Sequence, residues 1–460
     1  MFTFAKRGVF VLIGAGLCLA VESPATGQTK LMASDGAAYD LFGTSVSIYG
    51  NRVLVGANSD DDVAINTGSV YVYTTQDGVT WEQEAKLTAS DARQLDQFGM
   101  SVALVGDVAI VGAPSDDDDA MSNEGSVYVF RRVGDSWIQE TKLHGSASHK
   151  RNQFGFDVAY AGGTLLIGAP LEYGGADQSG AAYVFTHNGI AWVEEARLVA
   201  PDPDVMASFG FDVALSSDGG TAIIGAHMHD GSTGVNQGAS YVFVRDNGLW
   251  VQQAKLTPGD IAEDDRFGFP VALQGDTAFV GSHMDDDLGY NSGSVYVYER
   301  VGEEWVESQK IVASDGGLAG FFGRTIAVRG DALLIGALSD SGSAYVFRKT
   351  INGWVEKAKL VSFDRTFGYS MAVWGNTIVA GANRGGGSSS EGSAYVMTIE
   401  SCMMDIVREG VVHGAIVNGS DLGILVSNWG KPGMTDLNGD GVTDGDDLGR
   451  LLYGWGICPD

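Results

Sequence analysis

A phenylalanine-glycine pair recurs along this chain, at Phe42, Phe98, Phe154, Phe209, Phe267, Phe322 and Phe367, at intervals of 56, 56, 55, 58, 55 and 45 residues. The stretch from Gln97 to Leu143 shows the whole unit. It holds Phe98-Gly99, an alternating run Ser101 to Val105, a second run ending in Gly112-Ala113-Pro114, an acidic loop, a third run Gly125 to Phe130, and a closing Trp137 to Leu143. Runs of this length bounded by turn residues read as four short strands. A second mark keeps the same register: GSVYVY at Gly68, GSVYVF at Gly125, GAAYVF at Gly180, GASYVF at Gly238, GSVYVY at Gly293, GSAYVF at Gly342 and GSAYVM at Gly392. A four-stranded unit returning near every 55 residues points to a radial array, so the expected fold is an all-β propeller of seven blades.

The fourth strands decide whether such a ring closes. Trp81, Trp137, Trp192, Trp250, Trp305 and Trp354 each lie five residues before a Lys or Arg followed by Leu or Ile, and no such segment follows the seventh mark. The missing piece stands at the other end, where Gln28 to Asp35 matches the KLTASD that begins at Lys86. Pairing that N-terminal strand into the last blade closes the circle and leaves no open sheet edge.

The Phe-Gly pairs, with Gly-Ala-Pro at Gly112 and Gly168 and its variants elsewhere, resemble FG-GAP repeats, the units of the integrin α-subunit propeller, over residues 28–399. The resemblance implies that Phe-Gly lies in the connection from the fourth strand of one blade to the first of the next. It also places Gly-Ala-Pro between the second and third strands, on the same face. Many integrin-type blades carry a DxDxDG calcium loop between strands one and two. Here those links run from Tyr49-Gly50-Asn51 to Trp374-Gly375-Asn376 and hold at most one carboxylate each, so they are expected to be tight turns without calcium.

Charge narrows the partners. With 28 Lys and Arg against 58 Asp and Glu, the net charge is −30, which argues against nucleic acid and anionic membranes and fits cation binding or plain solubility in a salty or extracellular medium. Residues 1–27 read as a signal peptide, with Lys6 and Arg7, an apolar run Val9 to Ala20 too short to span a membrane, and cleavage after Ala20 or Gly27. Leu17, before Cys18, is not the small residue of a lipoprotein signal. The chain is therefore expected to be secreted or at the cell surface. Cys402 and Cys458 then remain, bracketing the C-terminal residues; in an exported chain they favour a disulfide, with two free thiols as the alternative.

Beyond Ile399 the period-two pattern stops. Two similar pieces follow, DLGILVSNWG at Asp421 and DLGRLLYGWG at Asp447, each with the apolar spacing of a short helix. The second follows DLNGDGVTDGDD, residues 436–447, an EF-hand-like loop with oxygen-bearing side chains at positions one, three, five, nine and twelve and Gly441 at six. The duplicated loop and helix resemble a dockerin type I module over residues 400–460, a small α-helical calcium-binding unit. In that reading Asp436, Asn438, Asp440, Asp444 and Asp447 bind Ca2+ with the Val442 carbonyl. The first copy has Gly410, Val412 and Gly414 at the matching positions, so one calcium is expected. Gly445 and Asp446 stand near the place where many dockerins present a Ser/Thr pair, a departure that bears on a cohesin-like partner for the tail.

Three further sets of residues invite function. The acidic loops Asp60 to Asp62, Asp116 to Asp119 and Asp285 to Asp287 crowd one face, either as solvated loops or as a site for divalent cations or a cationic ligand. His227 and His283 hold equivalent positions in adjacent blades, and with His229, Asp230 and Asp285 they are a transition-metal candidate. The six repeated Trp residues read as blade-to-blade packing rather than sugar stacking, because a residue repeated so strictly from blade to blade serves the frame. No Ser/His/Asp set, G-x-S-x-G elbow, HExxH or phosphate loop stands out. The expectation is a non-catalytic binding or adhesion protein that takes an extracellular protein or glycan ligand on its propeller loops. The alternatives are a polysaccharide-active enzyme or its accessory subunit, and a purely structural surface protein.

Overall fold

The computed structural model describes residues 28–117, 123–147, 151–231, 234–338, 342–362, 364–385 and 391–399. They form seven four-stranded antiparallel sheets. Blade 1 runs outward through Ser45–Tyr49, Arg52–Ala57, Ser69–Thr74 and Glu82–Leu87. Blades 2 to 6 repeat it, with innermost strands starting at Ser101, Val158, Val213, Val271 and Phe322.

Blade 7 closes the ring as the sequence predicts. Its strands Ser370–Trp374, Thr377–Ala382 and Ser393–Thr398 are completed by Thr29–Leu31, with Thr29 opposite Val396, Lys30 opposite Tyr395 and Leu31 opposite Ala394.

Burial explains the sequence pattern strand by strand. Second strands such as Thr164–Ala169 are buried at every residue, because each blade is covered by a neighbour on both faces. They therefore read as continuous apolar runs. Fourth strands such as Trp192–Leu198 instead alternate between half-buried and exposed residues, since one of their faces meets solvent.

The two repeated marks join blade to blade. In each blade the Phe of Phe-Gly is buried and meets the third-strand Tyr edge-on, as Phe98 meets Tyr128 at 5.4 Å and Phe322 meets Tyr345 at 5.2 Å. The Phe98 amide donates to the Thr67 carbonyl of the preceding blade at 2.9 Å. Gly68 must be glycine at this seam: its φ is +81°, and a Cβ there would lie 2.0 Å from the Phe98 carbonyl oxygen. The rim tryptophans also work between blades, with Trp137, Trp192 and Trp305 donating to Glu84, Glu140 and Gln253 at 3.3, 3.2 and 2.9 Å.

One link departs from the tight-turn expectation. In blade 4 the first two strands are Val213–Leu215 and Thr221–Ala226, and Asp218 organises the longer connection by accepting from Ser216 Oγ at 2.5 Å and the Gly220 amide at 3.0 Å. Among the described residues no helix is long and apolar enough to cross a membrane. The signal peptide, Cys402, Cys458 and the calcium loop Asp436 to Asp447 lie outside the described residues.

Candidate ligand site at the axial mouth

The leading carboxylate of each acidic loop is buried rather than solvated. Asp60, Asp116 and Asp285 are each 2% exposed. Lys86, Lys142 and Lys310, from the fourth strand of the same blade, reach them at 2.9, 2.7 and 2.8 Å. The third-strand tyrosines Tyr71, Tyr128 and Tyr296 donate to them at 2.7, 3.2 and 3.0 Å. The same lysines also pair with Asp35, Asp91 and Asp260 on the connection entering the blade, at 2.9, 2.8 and 2.9 Å. Blade 3 makes the contact from Glu172 and Arg197 at 2.6 Å. The positive charge that a cation would supply is thus supplied by lysine or arginine, and these carboxylates are part of the frame. Asp61, Asp62, Asp286 and Asp287 remain at the surface, Asp117 is half-buried, and Asp118 and Asp119 lie outside the described residues.

The proposed histidine shell does not assemble. His229 turns into the blade 4 frame, where its ring contacts Asp204, lies 2.6 Å from Lys255 Nζ and 3.6 Å from Asp202. Asp230 instead accepts from the Asn236 amide at 3.0 Å, and Asp285 is held by Lys310 and Ser294. His227 and His283 are buried, His227 against Phe211 at 4.2 Å and His283 with Nδ1 3.2 Å from the Phe269 carbonyl. Burial pushes their pKa values down to about 3 and about 4, so both rings are neutral at pH 7. Among the described residues no group of three or more His, Cys, Asp or Glu is placed to hold a metal.

What breaks the sevenfold repeat is the residue pair after each Phe-Gly. It reads Thr44-Ser45, Met100-Ser101, Phe156-Asp157, Phe211-Asp212, Phe269-Pro270, Arg324-Thr325 and Tyr369-Ser370. These pairs lead into or open the innermost strands, so they ring the axis on the Phe-Gly face. Where the second residue is Ser or Thr, its hydroxyl donates to the glycine carbonyl of the next Phe-Gly, as Ser45 does to Gly99 at 2.8 Å and Ser370 to Gly43 at 2.9 Å. Asp157 and Asp212 replace that bond by accepting from the amides of Val213 and Val271 in the next blade, at 2.8 and 2.6 Å.

The first residues of the pairs gather on one side of the mouth. Phe156 lies 4.5 Å from Phe211, and Phe211 lies 4.8 Å from Phe269. The Arg324 guanidinium sits over Phe269 at 4.4 Å and over Tyr369 at 5.5 Å. All five side chains belong to half-buried residues. Beneath them, first-strand residues including Val213, Val271, Ile326 and Val373 line an axial cavity of about 330 Å3. Desolvation pushes the Asp157 carboxyl up to about 7 and holds Asp212 well above the usual carboxylate range, the Asp157 charge adding to the second. The mouth can therefore stack a flat or apolar group and hydrogen-bond a polar one in the same place.

The ring architecture and the Phe-Gly seam have a counterpart among known families. The model of the FG-GAP repeat matches residues 26–73, 81–130, 137–185, 192–243, 250–298 and 305–347. The chain belongs to the FG-GAP repeat family. Each matched segment after the first starts near a rim tryptophan and ends in a third strand, so the FG-GAP repeat is offset by one strand from the blade, and the offset is why the N-terminal strand must close the ring. No curated protein matches the chain. Among solved structures it resembles a chain of one titled "Crystal Structure of Mitotic Checkpoint Complex", 11% identical over 86% of this chain and 98% of that one with a TM-score of 0.53, a likeness of fold alone.

Sequence reasoning passed over the mouth of this FG-GAP propeller because it looked for what repeats. The signal lay in the departures. Seven aligned copies give seven residues at one site, and three successive phenylalanines followed by Arg and Tyr, where two other blades carry Thr and Met, are visible in the sequence once the copies are compared position by position.

Proposed function

We propose that this FG-GAP propeller is an exported binding or adhesion protein that captures its ligand at the axial mouth of the Phe-Gly face. One observation carries the reading: side chains that build the frame recur in most blades, whereas Phe156, Phe211, Phe269, Arg324 and Tyr369 are half-buried, differ from their counterparts elsewhere and converge on one side of the axis. Half-open aromatic walls with a few polar groups are what a ligand site requires. FG-GAP repeats are typical of extracellular proteins, which accords with the signal-like residues 1–27.

The tail completes the proposal. Asp436, Asn438, Asp440, Asp444 and Asp447, with the Val442 carbonyl, would hold one Ca2+ in a dockerin-like module that tethers the propeller to a cohesin-like or other surface partner. An enzyme would need a pair of free carboxylates, and Asp157 and Asp212 are the pair the mouth offers. Each is engaged by an amide of the next blade where other blades use a hydroxyl, which favours a structural duty and a non-catalytic protein. The test is an array of glycans and matrix-type proteins probed with the full chain, with and without calcium. A saturable ligand is expected; its absence would turn the reading to a purely structural surface protein.

A further inference from the structure

The distribution of positive charge singles out one sector of the mouth. Among the described residues, each Lys or Arg that is not exposed has a carboxylate partner within ion-pair distance, with two exceptions, Arg266 and Arg324. Arg324 opens the innermost strand of blade 6 beside Phe269, and Arg266 immediately precedes the Phe267-Gly268 of blade 5. Arg324 and the two buried imidazoles, His227 and His283, touch the Phe269 ring, and both arginines act electrostatically on those imidazoles.

Two buried polar atoms in this sector have no protein partner, Arg266 Nε and His227 Nδ1, and His227 is 5% exposed. A buried donor left without an acceptor costs about 1–3 kcal/mol, more where charge is involved. In a chain of net charge −30, leaving two guanidinium groups without a carboxylate partner beside stacked aromatics is the reverse of what the frame does with its buried lysines and arginines. The nearest carboxyl on the axis, Asp212, attracts Arg324 but is already bound to the Val271 amide and forms no ion pair with it.

We propose that the mouth between blades 4, 5 and 6 binds a carboxylate borne on a flat or apolar body, the oxyanion held by the guanidinium groups of Arg266 and Arg324 and the body stacked on Phe211 and Phe269. A carboxylate suits the planar, forked donors of arginine. The aromatic walls select a ligand with a ring over a bare ion, and the axial cavity, lined in part by Val213 and Val271, leaves it room. The overall negative charge excludes polyanions but not a single carboxylate, because a paired contact acts within a few ångströms while the general field is screened beyond about 10 Å. The inference rests on the reading that the mouth is the ligand site.

The test is ligand-observed fluorine NMR on the full chain with 4-fluorobenzoate as probe, and with benzoate, acetate and inorganic phosphate as competitors. Saturable binding is expected, displaced by benzoate and far less by acetate or phosphate. Arg324→Gln and Arg266→Gln should each weaken it about tenfold or more, Arg324→Lys less, and Lys357→Gln, at an exposed blade 6 position, not at all. Melting curves identify any variant that has lost its fold, for which Arg324→Lys then serves as the informative substitution. Absence of saturable probe binding, or equal binding by the folded arginine variants, overturns the proposal; equal competition by phosphate overturns its carboxylate assignment. If a ligand from the array loses affinity on Phe211→Leu but not on either arginine change, the anion inference fails while the mouth remains the site. Insensitivity to all of these changes removes the mouth itself.

Discussion

Lys30 Nζ lies 2.6 Å from Asp364 Oδ2, the carboxylate oxygen that also accepts the Tyr395 hydroxyl at 2.6 Å. The N-terminal strand thus reproduces, across the seam of the ring, the lysine, tyrosine and aspartate contact that fourth strands make within other blades. Its Leu31, 2% exposed, fills the core between blades 7 and 1. Leu31→Ala is expected to cost about 2–4 kcal/mol, and deletion of residues 28–35 to destabilise the propeller as a whole by baring the third strand of blade 7. Thermal unfolding of the full chain checks both; an unchanged melting temperature after the deletion would contradict ring closure.

Removing a frame lysine should hurt more than removing its partner. Lys142→Met strands the buried Asp116 beside Asp91 and is expected to cost about 3 kcal/mol. Asp116→Asn keeps one acceptor oxygen for Ser126, leaves Tyr128 its bond to Asp91 and strands no buried charge, and should cost less. Chemical denaturation of the two variants and their double mutant measures the coupling, and additive losses would argue against a shared network.

Stability should fall as pH rises from 5 to 8. Asp96 is 1% exposed, accepts the Arg93 amide through Oδ2 at 2.5 Å and has no protein partner for Oδ1. Burial raises its carboxyl to about 7, and those of Asp40 and Asp265 to about 6. The folded chain therefore holds protons that the unfolded chain releases above the ordinary value near 4, and the stabilisation present below that value is lost as pH climbs through 6 and 7. Carboxylates lowered by lysine contacts, such as Asp35 and Asp91, act in the opposite sense only below that ordinary value. The buried His227 and His283, lowered to about 3 and about 4, oppose the fall up to the ordinary imidazole value near 6.5, so the decline is steepest above it. Melting temperatures from pH 5 to 8 check this, with Asp96→Asn expected to flatten the slope.

The fold was legible because its signals repeat. Phe98, Gly68, Tyr128 and Trp137 each stand for a seam contact made blade after blade, so one unit could be checked against the others, and the shortfall of one fourth strand pointed to Lys30-Leu31. The duty of the acidic loops was not legible. Asp60 and Asp62 are indistinguishable in a run of aspartates, yet the first is buried under Lys86 and the second is exposed, a difference made by the fold of a strand some twenty residues downstream. The histidines misled for a related reason: His227 and His229 are two residues apart, and the chain sends one to the mouth and the other to the frame.

For the tail, calorimetric titration of the full chain with Ca2+ is expected to show one site, lost on Asp436→Ala or Asp440→Ala. Clustered carboxylates repel without their ion, so chelator should unfold residues 400–460 while leaving the propeller melting nearly unchanged. Two or more tight sites would contradict the reading of Gly410, Val412 and Gly414 as a loop without ligands.

The central claim is that the departures at the mouth hold the ligand, while the exposed aspartates of the acidic loops do not. The direct measurement is the affinity of an array-identified ligand for the full chain, for Phe211→Leu with Phe269→Leu, and for Asp61→Asn with Asp286→Asn, each checked by its melting curve. The account predicts a loss of about tenfold or more for the mouth variant and no change for the loop variant. Undiminished binding by a folded mouth variant, or loss confined to the loop variant, would contradict it.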